Sequence, residues 1–414
     1  MGECPRNALN ENNSGDKKFL DRLIVNPVLD KQPDIYIDIR IPNEFQQYGK
    51  INIGITAGIE TDAVSAKWLE GCNRMNLVIV PSNHSKKGFL NPVYDKVQQT
   101  PDGKQEKIGE LKLSVPMEVV FEGSDEDVYK PLKVDEIDTD FFDMLNEKVP
   151  EQFAFLSVGL WGKGGFGEDR KDLGKTVKLF YEAFANKKKQ PALIMKTSGA
   201  TCSVLDKEDI LFRMNQIKTM FPADWKLPNV YLLHGELSDI EMNYLYNHPK
   251  VKCMVSLTHG EGYGRPLQEA TMVGLPVIAS NWSGHVDFLD TDNTMLLPGS
   301  LKKIPKSVVW KDILIPESSW FVVDESQVYK ALVYSFENEY EIKNKAKTVM
   351  MKNRDKFTLK KMSEVLIKIL EDLSKNLSVQ VPLSLPKLKK VDKKSNEIKL
   401  PRLKKVTKNE EVTV

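Results

Sequence analysis

Between Phe153 and Ala279, five short and nearly continuous apolar runs alternate with helical stretches. The runs are Phe153–Gly159, Ala192–Met195, Val230–Leu233, Cys253–Leu257 and Pro276–Ala279, separated by Leu173–Asn186, Asp209–Phe221, Asp239–Asn247 and Pro266–Val273. A strand that is apolar along its whole length is buried on both faces, and a parallel sheet with helices packed on it provides that burial. The alternation therefore predicts a doubly wound α/β sheet, in which ligands bind beyond the carboxyl ends of the strands.

A shorter block precedes it. Asp34–Ile41, Ile51–Ile59 and Asn76–Val80 are rich in β-branched residues and bounded by Pro, Gly or Asn, with a helical stretch at Ala63–Cys72 and an extended run at Met117–Phe121. Residues 123–150 are acidic and read as a linker. Helices are expected at Gln327–Asn338 and Leu359–Leu373, followed by a Lys/Pro/Leu tail. The expected organisation is an abbreviated α/β domain at 1–122, a linker at 123–150, a second α/β domain at 151–375 and a basic tail at 376–414. Two sheets facing one another would place the ligand site in the cleft between them.

With 414 residues, 41% hydrophobic and 28% charged, the chain can build its cores without disulfide staples. A net charge of +1 argues against a protein that coats nucleic acid. Cys4, Cys72, Cys202 and Cys253 form no CxxC pair, which fits reduced thiols in the cytoplasm better than a zinc site or a disulfide framework. The polar first twenty residues lack the apolar core of a signal peptide, and Arg6 stands where a myristoylation motif needs Ser or Thr. No apolar stretch approaches the roughly 20 residues of a membrane-spanning helix.

The segment with most chemistry runs from Ser256 through Thr258-His259-Gly260-Glu261-Gly262-Tyr263-Gly264-Arg265-Pro266 to Ala270, then Gly274-Leu275-Pro276-Val277. A buried strand leads into a glycine-rich loop, and Pro266 opens a helix. Such a loop lets backbone approach a ligand, and the helix start offers N–H groups to an anion. Glu261 in the loop and Glu269 in the helix's first turn bracket seven residues. On its own Glu269 also suits a plain helix start, where the dipole favours a carboxylate.

This pattern resembles the retaining glycosyltransferases of family 4, which have the two-domain GT-B fold. Their frame of Glu, seven residues and Glu, followed by G-x-P-V-x-A, is matched by Glu261, Gly262, Gly264, Pro266, Glu269-Ala270, Gly274, Pro276-Val277 and Ala279. Two further segments agree: Val120 to Asp125 with Tyr129 and Pro131, and Val230 to Gly235 with Ser238, Glu241 and Leu245-Tyr246. The resemblance implies two Rossmann-like domains facing a cleft and transfer of a sugar from a nucleotide-sugar to an acceptor hydroxyl with retention. Glu261 would contact the donor sugar and Glu269 the ribose. The backbone from Gly262 through Tyr263 and Gly264 to Leu267 would lie beside the diphosphate and sugar.

The family usually offers the diphosphate an Arg and a Lys just after the first strand of the second domain. Here Leu160 follows that strand and an insertion, Trp161–Asp169, precedes Arg170-Lys171. Lys171 is the expected diphosphate cation and Arg170 the substitute for the missing Arg, against a solvated helix start. Lys196, ending the next strand, is either a third phosphate contact or a surface lysine. The family also often places a His near the donor sugar after a strand of the first domain. None follows the matching strand here, and Glu60 or His84 is expected in that role. With Arg170 and Lys171 supplying charge, the reading needs no metal and no cofactor besides the nucleotide-sugar.

Three other patterns carry less. Gly162, Gly164 and Gly167 space as a dinucleotide fingerprint, but Glu168-Asp169 follow where a helix should start. Gly174-Lys175-Thr176 lacks the first glycine of a phosphate loop, at Asp169. The five histidines show no i,i+4 pair, so no metal-hydrolase ligand set is expected, and His285 reads as a satisfied loop residue or a cleft residue. In the tail, Leu-Pro-[Lys/Arg]-Leu-Lys-Lys-Val repeats at 385 and 400, and residues 387–414 hold ten Lys/Arg against four Asp/Glu. That is either a disordered solubilising tail or a paired motif for an acidic partner or a membrane surface. Two rival functions share the fold expectation: a sugar-nucleotide isomerase and a non-catalytic sugar-nucleotide-binding scaffold. The acceptor could be a glycan, a lipid-linked glycan or another hydroxyl.

Overall fold

The computed structural model describes residues 9–10, 12, 14–23, 31–99, 105–199 and 201–375; the tail repeats and Cys4 lie outside these. Met1–Lys368 make one compact unit, and Ile369–Val414 make a second.

The first block forms a parallel sheet of β1 (Ile35–Ile39), β2 (Ile51–Ile55), β3 (Leu77–Val80) and β6 (Met117–Val119), lying in chain order. Helix α1 (Ser14–Leu20) precedes it, while α2 (Ala66–Cys72), α3 (Asn83–Leu90) and the antiparallel pair β4 (Tyr94–Gln99) and β5 (Gln105–Leu111) connect its strands. Phe45, Trp68, Leu69, Val78, Val80 and Phe89 are buried together as its core. The short helix α3 starts directly after Ser82. Ser82 caps it by accepting from the Ser85 N–H, satisfying one of the otherwise orphaned donors of the first turn.

The second block forms a six-stranded parallel sheet. Its strands are β7 (Ala154–Leu160), β8 (Ala192–Ser198), β9 (Val230–Leu233), β10 (Val251–Ser256), β11 (Val277–Ser280) and β12 (Met295–Leu297), in spatial order β12-β11-β10-β7-β8-β9. This is the doubly wound order, and its direction reverses between β7 and β10, where a crevice opens for ligands. Helices α5 (Leu173–Phe184), α6 (Val204–Lys218), α7 (Asp239–Asn247) and α8 (Arg265–Met272) make the connections. Strand β7 shows why the sequence read correctly: its first four residues are all buried, so no alternation survives. Helix α7 falls where expected, opened by the Ser238–Glu241 capping box.

The segment 123–150 is more than a linker. It carries α4 (Thr139–Lys148), and Tyr129, Ile137, Phe141, Leu145 and Val149 are buried in the same core as β7 and β10. Asn243 and Asn247 of α7 accept from the Lys130 and Leu132 N–H groups, which holds the segment to the second sheet. After β12, strands β13 (Gly299–Lys303) and β14 (Ser319–Val323) pair antiparallel, and α9 (Glu325–Glu337), α10 (Glu339–Lys356) and α11 (Leu359–Ser374) follow. The strap between β13 and β14, residues 304–318, reaches the first sheet. Ile313 packs on that core, the Asp312 carboxylate pairs with Lys67 at 2.7 Å, and the Asp312 carbonyl accepts from Ser65 Oγ. No helix among the described residues is long and apolar enough to cross a membrane.

Candidate active site

The crevice is built by the two loops that leave β7 and β10. Between Leu160 and α5 the chain makes a long excursion and returns through Asp169-Arg170-Lys171-Asp172. Asp172 adopts a left-handed conformation (φ 51°), which turns the chain into the helix. The Lys171 methylenes cross Gly159 so closely that a Cβ there would sit 3.2 Å from them. From β10 the chain runs through Thr258, His259 and Gly260 to Glu261. The His259 N–H donates to the Arg170 carbonyl at 2.8 Å, which ties the two loops together.

Glu261 is the focus of the site. Its Oε1 accepts from Lys171 Nζ at 2.5 Å and its Oε2 from Arg170 Nη1 at 3.2 Å. Burial opposes its ionisation, but Lys171 and then Arg170 outweigh burial and bring its pKa down to about 2. Burial likewise lowers the pKa of the Lys171 ammonium, against the attraction of Glu261. The Glu261 N–H donates to Ser283 Oγ at 2.9 Å, and the Glu261 carbonyl accepts from the Gly284 N–H at 2.9 Å. Ser283 holds φ at 81°, a region costly for a residue with a side chain, so the grip on Glu261 is made under backbone strain.

Loops of the first sheet meet this cluster. Glu60 Oε1 lies 3.6 Å from Arg170 Nε. The Gly262 carbonyl accepts from Ser82 Oγ at 2.6 Å and Ser85 Oγ at 3.3 Å, and the Asn83 N–H donates to Asp287 at 2.8 Å. A Cβ on Gly260 would sit 1.9 Å from the Glu60 carbonyl oxygen, and one on Gly262 2.2 Å from that of Ala57. Only glycine permits this approach of backbone to backbone. His84, on α3, packs edge-on against Trp282 with ring centroids 4.5 Å apart. Burial, then His285, pushes its pKa down to about 4, so its imidazole is neutral near pH 7.

Glu269 sits buried in α8. It accepts from the Tyr246 hydroxyl at 3.0 Å and lies 3.6 Å from Arg265; burial raises its pKa against both. Tyr263 and Leu267 turn their side chains into the core, Tyr263 accepting from Gln268 Nε2 at 2.8 Å. Between Gly262 and Leu267 these two side chains are therefore turned away from the cleft.

The structure thus brings Arg170, Lys171, Glu261 and Glu60 together and sets His84 at the same interface. Lys196 is not part of the cluster: its Nζ donates to the Gly235 carbonyl at 2.6 Å, beyond β9. His285 is a satisfied loop residue, its Nε2 donating to the Ser280 carbonyl at 2.6 Å. Ser82, Ser85 and Ser283 were not singled out from the sequence, and Tyr246 stood only as part of a matching segment, without a site role. Ser283 carried a readable signal only in its neighbour Gly284, because a positive φ at serine leaves no trace in residue type.

Residues 170–299 match the model of the family described as glycosyl transferases group 1. The match begins at Arg170 and takes in Lys171, Glu261 and Glu269. Among curated proteins no sequence relative is found. Solved structures are similar in fold. Sucrose-phosphate synthase from Thermosynechococcus elongatus is 14% identical with a TM-score of 0.53, over 79% of this chain and 69% of that one. An α,α-trehalose-phosphate synthase (UDP-forming) from Burkholderia xenovorans, in complex with glucose-6-phosphate, is 10% identical with a TM-score of 0.52, over 78% and 69%. HepE from Anabaena, in complex with UDP and glucose, is 14% identical with a TM-score of 0.50, over 78% and 72%. The two facing parallel sheets are those of the GT-B fold.

Proposed function

With a group 1 glycosyltransferase segment at 170–299 as the premise, we propose that this protein moves a sugar from a nucleotide-sugar donor to an acceptor hydroxyl with retention at the anomeric carbon. The observation that carries the reading is Glu261, buried between Lys171 and Arg170 at the switch point of the second sheet and facing Glu60 of the first.

The donor lies on the second domain, its diphosphate against Lys171 and Arg170, its sugar toward Glu261 and its ribose toward Glu269. In the reaction the bond from the anomeric carbon to the diphosphate oxygen breaks, and a bond to the acceptor oxygen forms on the same face. The acceptor's proton passes to the departing phosphate oxygen. Negative charge grows on the diphosphate, and the two cations, released from Glu261 by the bound donor, stabilise it. These cations supply the charge that a metal would otherwise bring. The acceptor enters from the side of the first sheet, and Glu60 and neutral His84 hold its hydroxyl. Closure of that sheet's loops on Gly260 and Gly262 excludes the water that would compete as acceptor.

The test is a screen of UDP-, GDP- and ADP-sugars for binding and turnover, with glycan and lipid-linked acceptors. Release of free nucleotide with sugar transferred supports the reading, and the anomeric configuration of the product decides retention. Interconversion of the sugar without an acceptor would make the protein an isomerase. Tight binding with no turnover across acceptors would make it a scaffold.

A further inference from the structure

The first sheet ends in an open edge. Its strands lie in the order β1-β2-β3-β6, and no described residue pairs with the free side of β1. At five residues, β1 is the longest of the edge strands that bound the two parallel sheets. The direction of its backbone groups follows from its pairing with β2. The Asp34 carbonyl accepts from the Ile51 N–H, and the Arg40 N–H donates to the Ile55 carbonyl, so the even-numbered residues face β2. Backbone groups alternate along a strand, and those of Ile35, Ile37 and Ile39 therefore face outward.

The side chains of the same three residues are also uncovered. Ile35, Ile37 and Ile39 share one face of the sheet and are 37%, 41% and 74% exposed. On the next two strands Ile53 and Leu77, in line with Ile37, are buried. Exposed edges are normally blunted by lysine, proline or a bulge, because bare N–H and C=O groups pair with a strand that arrives. The run Ile-Tyr-Ile-Asp-Ile holds no lysine or proline, and its register with β2 is unbroken. Its one charge, Asp38, is buried and engaged by Arg40 and the Gln46 N–H.

We infer that β1 pairs with β1 of a second copy of this chain, antiparallel about a two-fold axis through Ile37, and joins the two first sheets into one. The strand is self-complementary in that register. Ile37 meets Ile37, Ile35 meets Ile39, and Asp34 meets Arg40 at either end. The outward isoleucines of each copy supply the N–H and C=O groups of the ladder, and their side chains form one apolar strip. The Asp34 carboxylate is exposed beside Lys50, and Arg40 gives its Nε to Asp38, which leaves the Nη fork to reach across. Sliding the strands by two residues leaves isoleucines unmatched and parts Asp34 from Arg40. This match of backbone, shape and charge with itself selects a second copy over an unrelated strand.

Sedimentation velocity on the full chain, from low to high micromolar, should show a reversible monomer–dimer equilibrium. Ile37→Lys sets two ammonium groups opposite one another on the axis and should weaken the dimer by roughly tenfold or more, with an unchanged melting curve. Register is read by oxidative cross-linking in a Cys4→Ser/Cys202→Ser background, which leaves only the buried Cys72 and Cys253. Ile37→Cys should cross-link to itself. Ile35→Cys and Ile39→Cys should each stay uncross-linked alone, since like positions lie about 14 Å apart at ~3.4 Å per residue, and should cross-link when mixed. The inference is overturned by a chain that stays monomeric at every concentration, by a dimer that folded Ile37→Lys leaves intact, or by Ile35→Cys cross-linking alone as readily as Ile37→Cys. The cross-linking pattern stands without the lysine variant, so misfolding of that variant leaves the test in force. Nucleotide-sugar turnover is a separate readout on which the pairing does not depend.

Discussion

Replacing Glu261 with glutamine keeps the shape of the side chain and removes its charge. The carboxylate is buried, 2.5 Å from Lys171 and 3.2 Å from Arg170, and its pKa lies at about 2 against an ordinary 4.5. At about 1.4 kcal/mol per pKa unit, the fold favours the ionised form by roughly 3 kcal/mol. Glu261→Gln should therefore lower stability near pH 7 by about 3 kcal/mol, since it removes the carboxylate that both Lys171 and Arg170 contact. A depressed carboxylate contributes fully above its unfolded pKa and loses that contribution as pH falls through the folded value. Melting temperatures of wild type and variant should thus differ above pH 4.5 and converge toward pH 2. A donor's diphosphate needs the same two cations, so in the wild type it must displace Glu261. In the variant it need not, and pyrophosphate and UDP should bind at least as tightly. The gain reaches about a hundredfold if the whole 3 kcal/mol is released. Turnover should be lost. Differential scanning fluorimetry with and without pyrophosphate, together with titration calorimetry, measures both effects. Unchanged stability without ligand, or pyrophosphate binding tenfold weaker in the variant, would refute the competition.

Other outcomes follow from the same geometry. Glu269→Gln should weaken nucleotide binding by about 1–3 kcal/mol while leaving pyrophosphate affinity unchanged; equal loss for both ligands in calorimetry would remove the ribose assignment. Gly262→Ala places a Cβ 2.2 Å from the Ala57 carbonyl oxygen, so donor affinity should persist while transfer falls sharply, as separate binding and turnover assays would record. Burial raises the Asp172 pKa to about 6, against the attraction of Lys175. A raised carboxyl stabilises the fold below its unfolded value of 3.8 and ceases to as pH climbs through 6. Asp172→Asn, which tolerates the left-handed backbone, should therefore gain melting temperature over the wild type as pH rises from 4 to 7, and a pH-independent difference would show that burial of this charge is not what costs stability.

Much of the second domain was legible in the sequence because its signals are local. A strand buried on both faces is apolar throughout, as in β7, and a capping box marks the start of α7. Glycine and proline mark the loop from Gly260 to Pro266 because close approach of backbone and a helix start require those residue types. The charged helix α10 escaped notice: it buries Ile342, Ala346, Val349 and Asn353 among many lysines, too thin a stripe to stand out. Residues 123–150 read as a linker because acidic composition hides the few side chains, among them Phe141 and Leu145, that reach the core.

The site itself is another matter. Its two glutamates could be read from spacing, but which cations meet them is a property of strand order. Arg170 and Lys171 touch Glu261 across ninety residues of chain because β7 and β10 are neighbours at the reversal of the sheet. The same order sends Lys196, one strand over on β8, to the Gly235 carbonyl. Glu60 reaches Arg170 because Gly260 and Gly262 let the backbones beside the two sheets touch. Periodicity and residue type encode burial and local turns. Electrostatic partnership depends on distance through space, and that distance exists only once the sheets are assembled and facing.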